Sequence, residues 1–83
     1  MTFTPLEMDI LYDLERNGDN VPGNIAENTG RHEKAVSRSL SGADDSLANQ
    51  GLVRSKGRGV WTITEEGQSQ LAEFIDGALE SES

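Results

Sequence analysis

Two short helix-forming stretches meet at a tight Thr29-Gly30 turn, and that juxtaposition limits the fold more than any other feature of the chain. In NVPGNIAENTG, Pro22 near the start and Gly30 at the end bracket a short helix with Ile25 and Ala26 facing inward. RHEKAVSRSL then places Ala35, Val36 and Leu40 on one side and leaves Arg31, His32, Lys34, Ser37, Arg38 and Ser39 for other faces. The pair is a helix-turn-helix candidate. Ala26 matters because a larger side chain there pushes the two crossing helices apart.

Flanking segments complete the order of elements. In FTPLEMDILYDLERNG, Thr4 caps a helix, Pro5 fits its first position and Glu7 closes a capping box, while Phe3 and Met8 take the positions of a hydrophobic staple. Leu6, Ile10, Leu11 and Leu14 share one face, Glu7, Asp13 and Glu15 lie elsewhere, and Gly18 stops the helix. In SGADDSLANQG, Ser41 and Gly42 weaken a helix whose apolar stripe Ala43, Leu47 and Ala48 continue, which predicts a broken or extended helix ending before Gly51. Leu52 to Lys56 and Val60 to Ile63 are β-rich and flank Gly57-Arg58-Gly59, a hairpin signal. Trp61 and Ile63 alternate onto one face, which is expected to be core. A last helix is capped by Thr64, has Glu65 and Glu66 in its first turn, and carries Leu71, Phe74, Ile75, Ala78 and Leu79 at helical spacing. The reading is one domain over 1–80 with a frayed tail at 81–83. Its class is α+β and mainly helical, with three helices, a two-stranded β wing and a C-terminal helix.

At 83 residues, with no Cys and one His, the chain is short for two domains and has neither a disulfide framework nor a zinc finger. Apolar runs are short and the N-terminus lacks a basic region followed by an apolar one, so a cytoplasmic protein without membrane, metal or cofactor is expected. The net charge of −8 taken whole argues against nucleic acid, whose phosphates are neutralised by Lys and Arg. Its distribution reverses that argument. Residues 31–58 carry six Lys and Arg against three Asp and Glu, a net +3, which leaves −11 for the rest. A basic middle between acidic ends is an electrostatic footprint.

An enzyme is not expected. The carboxylates isolate no acid–base pair or metal cluster, and Ser37, Ser39 and Ser41 have no evident base. The Gly57-Arg58-Gly59 turn is too short to cradle a nucleotide phosphate and leads directly into no helix. His32 reads as a surface residue, lacking a second ligand, and Trp61 as core rather than a platform for base stacking.

The stretches NIAENTGRHEKAVSRSL and GLVRSKGRGVWTITEEG resemble the small winged helix-turn-helix regulators, and are most similar to the phage PhiH repressor-like proteins of halophilic archaea and their viruses. The resemblance runs from Asp9 to Phe74. It implies a small transcriptional regulator, a repressor, that binds double-stranded DNA sequence-specifically with a recognition helix at 31–41 in the major groove and a wing at 52–63 on the backbone or minor groove. By that resemblance Arg31, Lys34, Ser37 and Arg38 face DNA, and Lys56 and Arg58 extend the contact. The chain departs from the usual pattern in a longer stretch from Leu40 to Gly51, and in Arg31 and His32 standing where a Ser or Asp cap is usual.

Side-chain chemistry divides the roles. Arg pairs bidentately with guanine whereas Lys acts as a point charge, so Arg38 suits base readout and Lys34 the backbone. Lys34 and Arg38 are four apart on one helix face, with Arg31 a turn earlier, and Ser37 is small enough to let the helix approach. Arg54 and Lys56 point to one side of the hairpin, and Arg58 sits at its tip between glycines that leave it free to move. The rival reading is a winged helix used for protein contact in a larger assembly, which requires an exposed apolar patch on this surface. A lone domain with few phosphate contacts binds weakly, so a homodimer is expected through Leu71, Phe74, Ile75 and Leu79, with Tyr12 from the first helix. The alternative is that the last helix only closes its own core.

Overall fold

The structure is a computed structural model that describes residues 3–42 and 44–82, the side chains of 75–82 excepted. Helix α1, Pro5–Asn17, begins with the capping box expected: Glu7 N–H donates to the Thr4 hydroxyl at 3.2 Å and Thr4 N–H to the Glu7 carboxylate at 3.0 Å. Gly18 ends the helix at φ 85°, where a β-carbon is unfavourable. Helix α2, Pro22–Thr29, ends on Gly30 in the left-handed conformation, and Arg31 N–H closes the turn on the Ala26 carbonyl at 3.0 Å. Helix α3, Glu33–Ser37, continues as a π-helical turn over Arg38–Gly42.

The recognition helix therefore starts later than expected. His32 is its N-cap and Arg31 lies outside it, because Gly30 and the extended His32 backbone spend two residues on the turn. Between Gly42 and Val53 the chain forms turns rather than a longer helix; Ala43 is outside the described residues. Leu47 N–H and Ala48 N–H reach back to the Ser39 and Leu40 carbonyls at 2.8 and 2.9 Å, satisfying the acceptors that a helix end leaves open. The fully buried Leu47 anchors that return.

Strands β1, Val53–Gly57, and β2, Val60–Ile63, pair antiparallel with Val53 opposite Ile63 and Ser55 opposite Trp61. A register shift between Ser55 and Gly57 makes Lys56 the bulged residue. Asn20 adds a bridge on the free side of β2, exchanging backbone hydrogen bonds with Trp61 at 2.7 and 3.0 Å. Trp61 and Ile63 do share the inward face, but both are only partly buried and pack against the margin of the core. The core proper joins Ile10, Leu11 and Leu14 of α1 to Ile25, Val36, Leu40, Leu52, Val53 and Leu71.

Asp13 corrects the sequence reading. It belongs to the buried set, not to an outer face of α1, with its side chain ringed by asparagine amides: Asn17 at 2.7 Å and Asn28 at 3.0 Å on Oδ1, and Asn20 at 3.2 Å on Oδ2. Asn20 Oδ1 in turn accepts from Val21 N–H and from the Asn24 amide, both at 2.9 Å. One buried carboxylate thus ties α1 to α2 and, through the backbone of Asn20, to the wing.

Helix α4, Glu65–Glu82, starts on Thr64, whose hydroxyl accepts from Gly67 N–H at 3.0 Å and donates to the Gly51 carbonyl at 2.7 Å. Ser81 and Glu82, expected in a frayed tail, are helical, and Ser83 lies outside the described residues. A β-carbon on Gly67 would collide with the Leu52 carbonyl oxygen and stand 2.7 Å from Ile63 Cγ1. An exposed helical Gly→Ala stabilises by about 1 kcal/mol. Here the sign reverses: Gly67→Ala is expected to destabilise by about 1–3 kcal/mol through overpacking, measured by urea denaturation.

Candidate nucleic-acid interface

Burial of Val36 and Leu40 fixes the rotation of α3, so Lys34, Ser37, Arg38 and Ser41 face solvent. Arg38 N–H bonds to both the Lys34 and Ala35 carbonyls, which keeps Lys34 and Arg38 one helical turn apart before the backbone widens into the π turn. Gly42 passes close over the Arg38 stem: a β-carbon there would be 3.3 Å from Arg38 Cγ. Ser41 is an addition that the 34, 37, 38, 41 spacing already contained. Among the described residues, Lys34 and Arg38 have no ion-pair partner.

Arg31 behaves differently. Its Nε and Nη2 donate to Asp9 Oδ2 of α1 at 3.0 and 2.9 Å, so it does not continue the Lys34–Arg38 row. It and Arg38 still border one open groove of about 480 Å³, whose other walls include Glu7 and Asp45. His32 is exposed beside them and supplies no side-chain cap.

The hairpin tip is a two-residue turn in which Arg58 and Gly59 both have positive φ, 56° and 78°, the pattern of a type I′ turn. Arg58 is thus held rather than free, in a backbone conformation that costs a non-glycine residue about 1–2 kcal/mol. Arg54 and Lys56 do lie on one side of the wing, but Asp19 shares that side. Lys56 Nζ donates to Asp19 Oδ2 at 2.5 Å. The Lys56 hydrogen bond, then one from Thr62, hold the Asp19 carboxyl below its ordinary value, opposed by desolvation and helped by the charges of Lys56 and Arg54. Asp9, Asp13 and Asp19 were not singled out by sequence reasoning. An Asn series at 17, 20, 24 and 28, at helical three- and four-residue steps from Asp13, was the available signal.

Of the residues expected at a dimer contact, Leu71 is buried in the chain's own core. Phe74 is exposed, as is Tyr12, which lies beneath the Arg16 guanidinium at 6.0 Å. The Ile75 and Leu79 side chains are outside the described residues. Among the described residues no group of acidic, His or Cys side chains is arranged to hold a metal ion, and no helix is long and apolar enough to cross a membrane.

No protein-family model and no curated protein matches the sequence. Among solved structures, a MarR family regulator from Neisseria meningitidis is similar, with a TM-score of 0.70 and 25% identity. The match covers 94% of this chain and 56% of the other, so the chain spans just over half the length of that protein. The architecture is that of a winged helix.

Proposed function

We propose that the chain binds double-stranded DNA as a small transcriptional regulator, with α3 entering the major groove and the wing meeting the backbone or minor groove. The observation that carries this reading is the outward row of Lys34, Ser37 and Arg38 on the second helix of a helix-turn-helix, polar, exposed and without an intramolecular counterion among the described residues. Arg58 supports it, because a strained left-handed arginine at a wing tip, where Asn or Gly suits the turn, points to a role for the side chain. The likeness to a MarR family regulator agrees with it. Repression as the sign of regulation, and kinship with the PhiH repressor-like proteins of halophiles, rest on the sequence resemblance alone. The protein-contact alternative calls for an apolar patch on the same surface. Among the described residues the exposed large hydrophobics are Tyr12, Val21 and Phe74, and none of these lies on α3 or the wing.

Arg38→Ala is expected to cost about 1–3 kcal/mol on a duplex selected from a random pool and to relax preference at one position. Lys34→Ala and Arg58→Asn are expected to weaken all duplexes alike and to lower the salt slope by about one per contact. Arg58→Asn should also make the hairpin more stable. Affinity against salt for selected and random duplexes decides it, and unchanged affinity in all three variants removes this face from DNA binding.

The regulator we propose is a homodimer, paired through α4 with Phe74 and Tyr12 at the contact and two recognition helices presented to successive half-sites. Light scattering should give a dimer mass for the wild type and a monomer mass for Phe74→Glu; a monomeric wild type defeats the pairing.

A further inference from the structure

The cations of the proposed DNA face differ in availability. Lys34, Arg38 and Arg58 have no ion pair among the described residues, whereas Arg31 and Lys56 are each engaged by a carboxylate from a distant part of the chain, Asp9 and Asp19. Neither acid is placed by chance. Asp9 stands one turn before Asp13 on α1, over the turn that leads into α3. Asp19 directly precedes Asn20, whose backbone is locked to Trp61 and whose amide is locked to Asp13, so it is delivered to the side of the wing that carries Arg54, Lys56 and Thr62.

We infer that Asp9 and Asp19 act as built-in phosphate mimics, competing with the DNA backbone for Arg31 and Lys56 and so holding down the chain's affinity for DNA of any sequence. The inference rests on the DNA-binding reading above. Both pairs are roughly half exposed, and exposed pairs of this kind are worth about 0–1 kcal/mol, so phosphate can displace the carboxylate. Their effect lies in ion release. A free lysine that reaches a phosphate liberates about 0.9 of a condensed counterion. A lysine that must first leave an aspartate strands a carboxylate, which gathers a cation of its own and stays close to the phosphate. The net release then falls towards zero, and with it the gain in affinity at low salt.

The test uses the full chain and a random-sequence duplex, with affinity measured between about 50 and 500 mM salt. Asp19→Asn, Lys56→Gln and their combination form one cycle, Asp9→Asn and Arg31→Gln the other, and Asp44→Asn controls for the loss of an exposed acid with no ion pair among the described residues. Asp19→Asn is expected to steepen the salt slope by about one per chain and to tighten binding on the order of tenfold at the lowest salt. That gain should vanish when Lys56 is already Gln, and the Asp9–Arg31 cycle should behave alike. Equal slopes, an Asp19→Asn gain that survives without Lys56, or an equal gain from Asp44→Asn overturns the inference while leaving DNA binding intact. Failure of every variant to bind at the lowest salt overturns both.

Discussion

A carboxylate buried without a cation demands neutral donors, since its desolvation otherwise costs several kcal/mol. Asp13 meets that demand with three asparagine amides drawn from the end of α1, the turn after it and α2. The donors have little choice of position, so the carboxylate fixes the angle at which α2 leaves α1. Asn20 is the branch point: its amide serves Asp13, its side-chain oxygen accepts from Val21 N–H and the Asn24 amide at the start of α2, and its backbone completes the edge of the wing beside Trp61.

The two halves of the proposed DNA face descend from this arrangement by separate routes. On one side, the placement of α2 and the left-handed Gly30 set where α3 begins, and burial of Val36 and Leu40 turns Lys34 and Arg38 outward. On the other, the Asn20–Trp61 bridge holds the wing to the turn after α1, and the side-chain-free approach of Gly67 to Leu52 lets α4 lie against its base. Helix and wing are therefore oriented by the same few polar contacts, with the apolar core filling the space between them. The acids that restrain Arg31 and Lys56 belong to the same framework, which makes the availability of positive charge a consequence of the fold.

Much of this was legible in the chain. The Thr4–Glu7 box, the two glycine stops, the inward Ile25, Val36 and Leu40, and the Gly57-Arg58-Gly59 hairpin each depend on local chemistry, and the structure places them where the residues indicate. What escaped depends on distant partners. A lone Asp13 between apolar positions reads as surface until Asn20 and Asn28 come round to it. Arg31 reads as helical until the Gly30 turn spends two residues before Glu33. Trp61 reads as core because alternation shows which side a residue takes but not how much lies above it; it packs against the core only partly buried. Leu71 and Phe74 belong to one stripe in sequence, yet one is buried and the other exposed, since only the first meets the core. On the interface, the row at 34, 37 and 38 was readable from spacing, whereas the acids opposite Arg31 and Lys56 come from segments 22 and 37 residues away.

The claim that Asp13 organises both helices and wing is tested most directly by amide hydrogen exchange in the wild type and in Asp13→Ala. Trp61 N–H donates to Asn20, whereas the amides of Ile10 and Leu11 report the core of α1. If the carboxylate holds the bridge, Trp61 loses protection by roughly tenfold more than those α1 amides, the mark of a local opening rather than of lower global stability. Equal losses at Trp61 and in α1 would contradict it, making Asp13 an ordinary buried polar group and leaving the wing held by its packing alone.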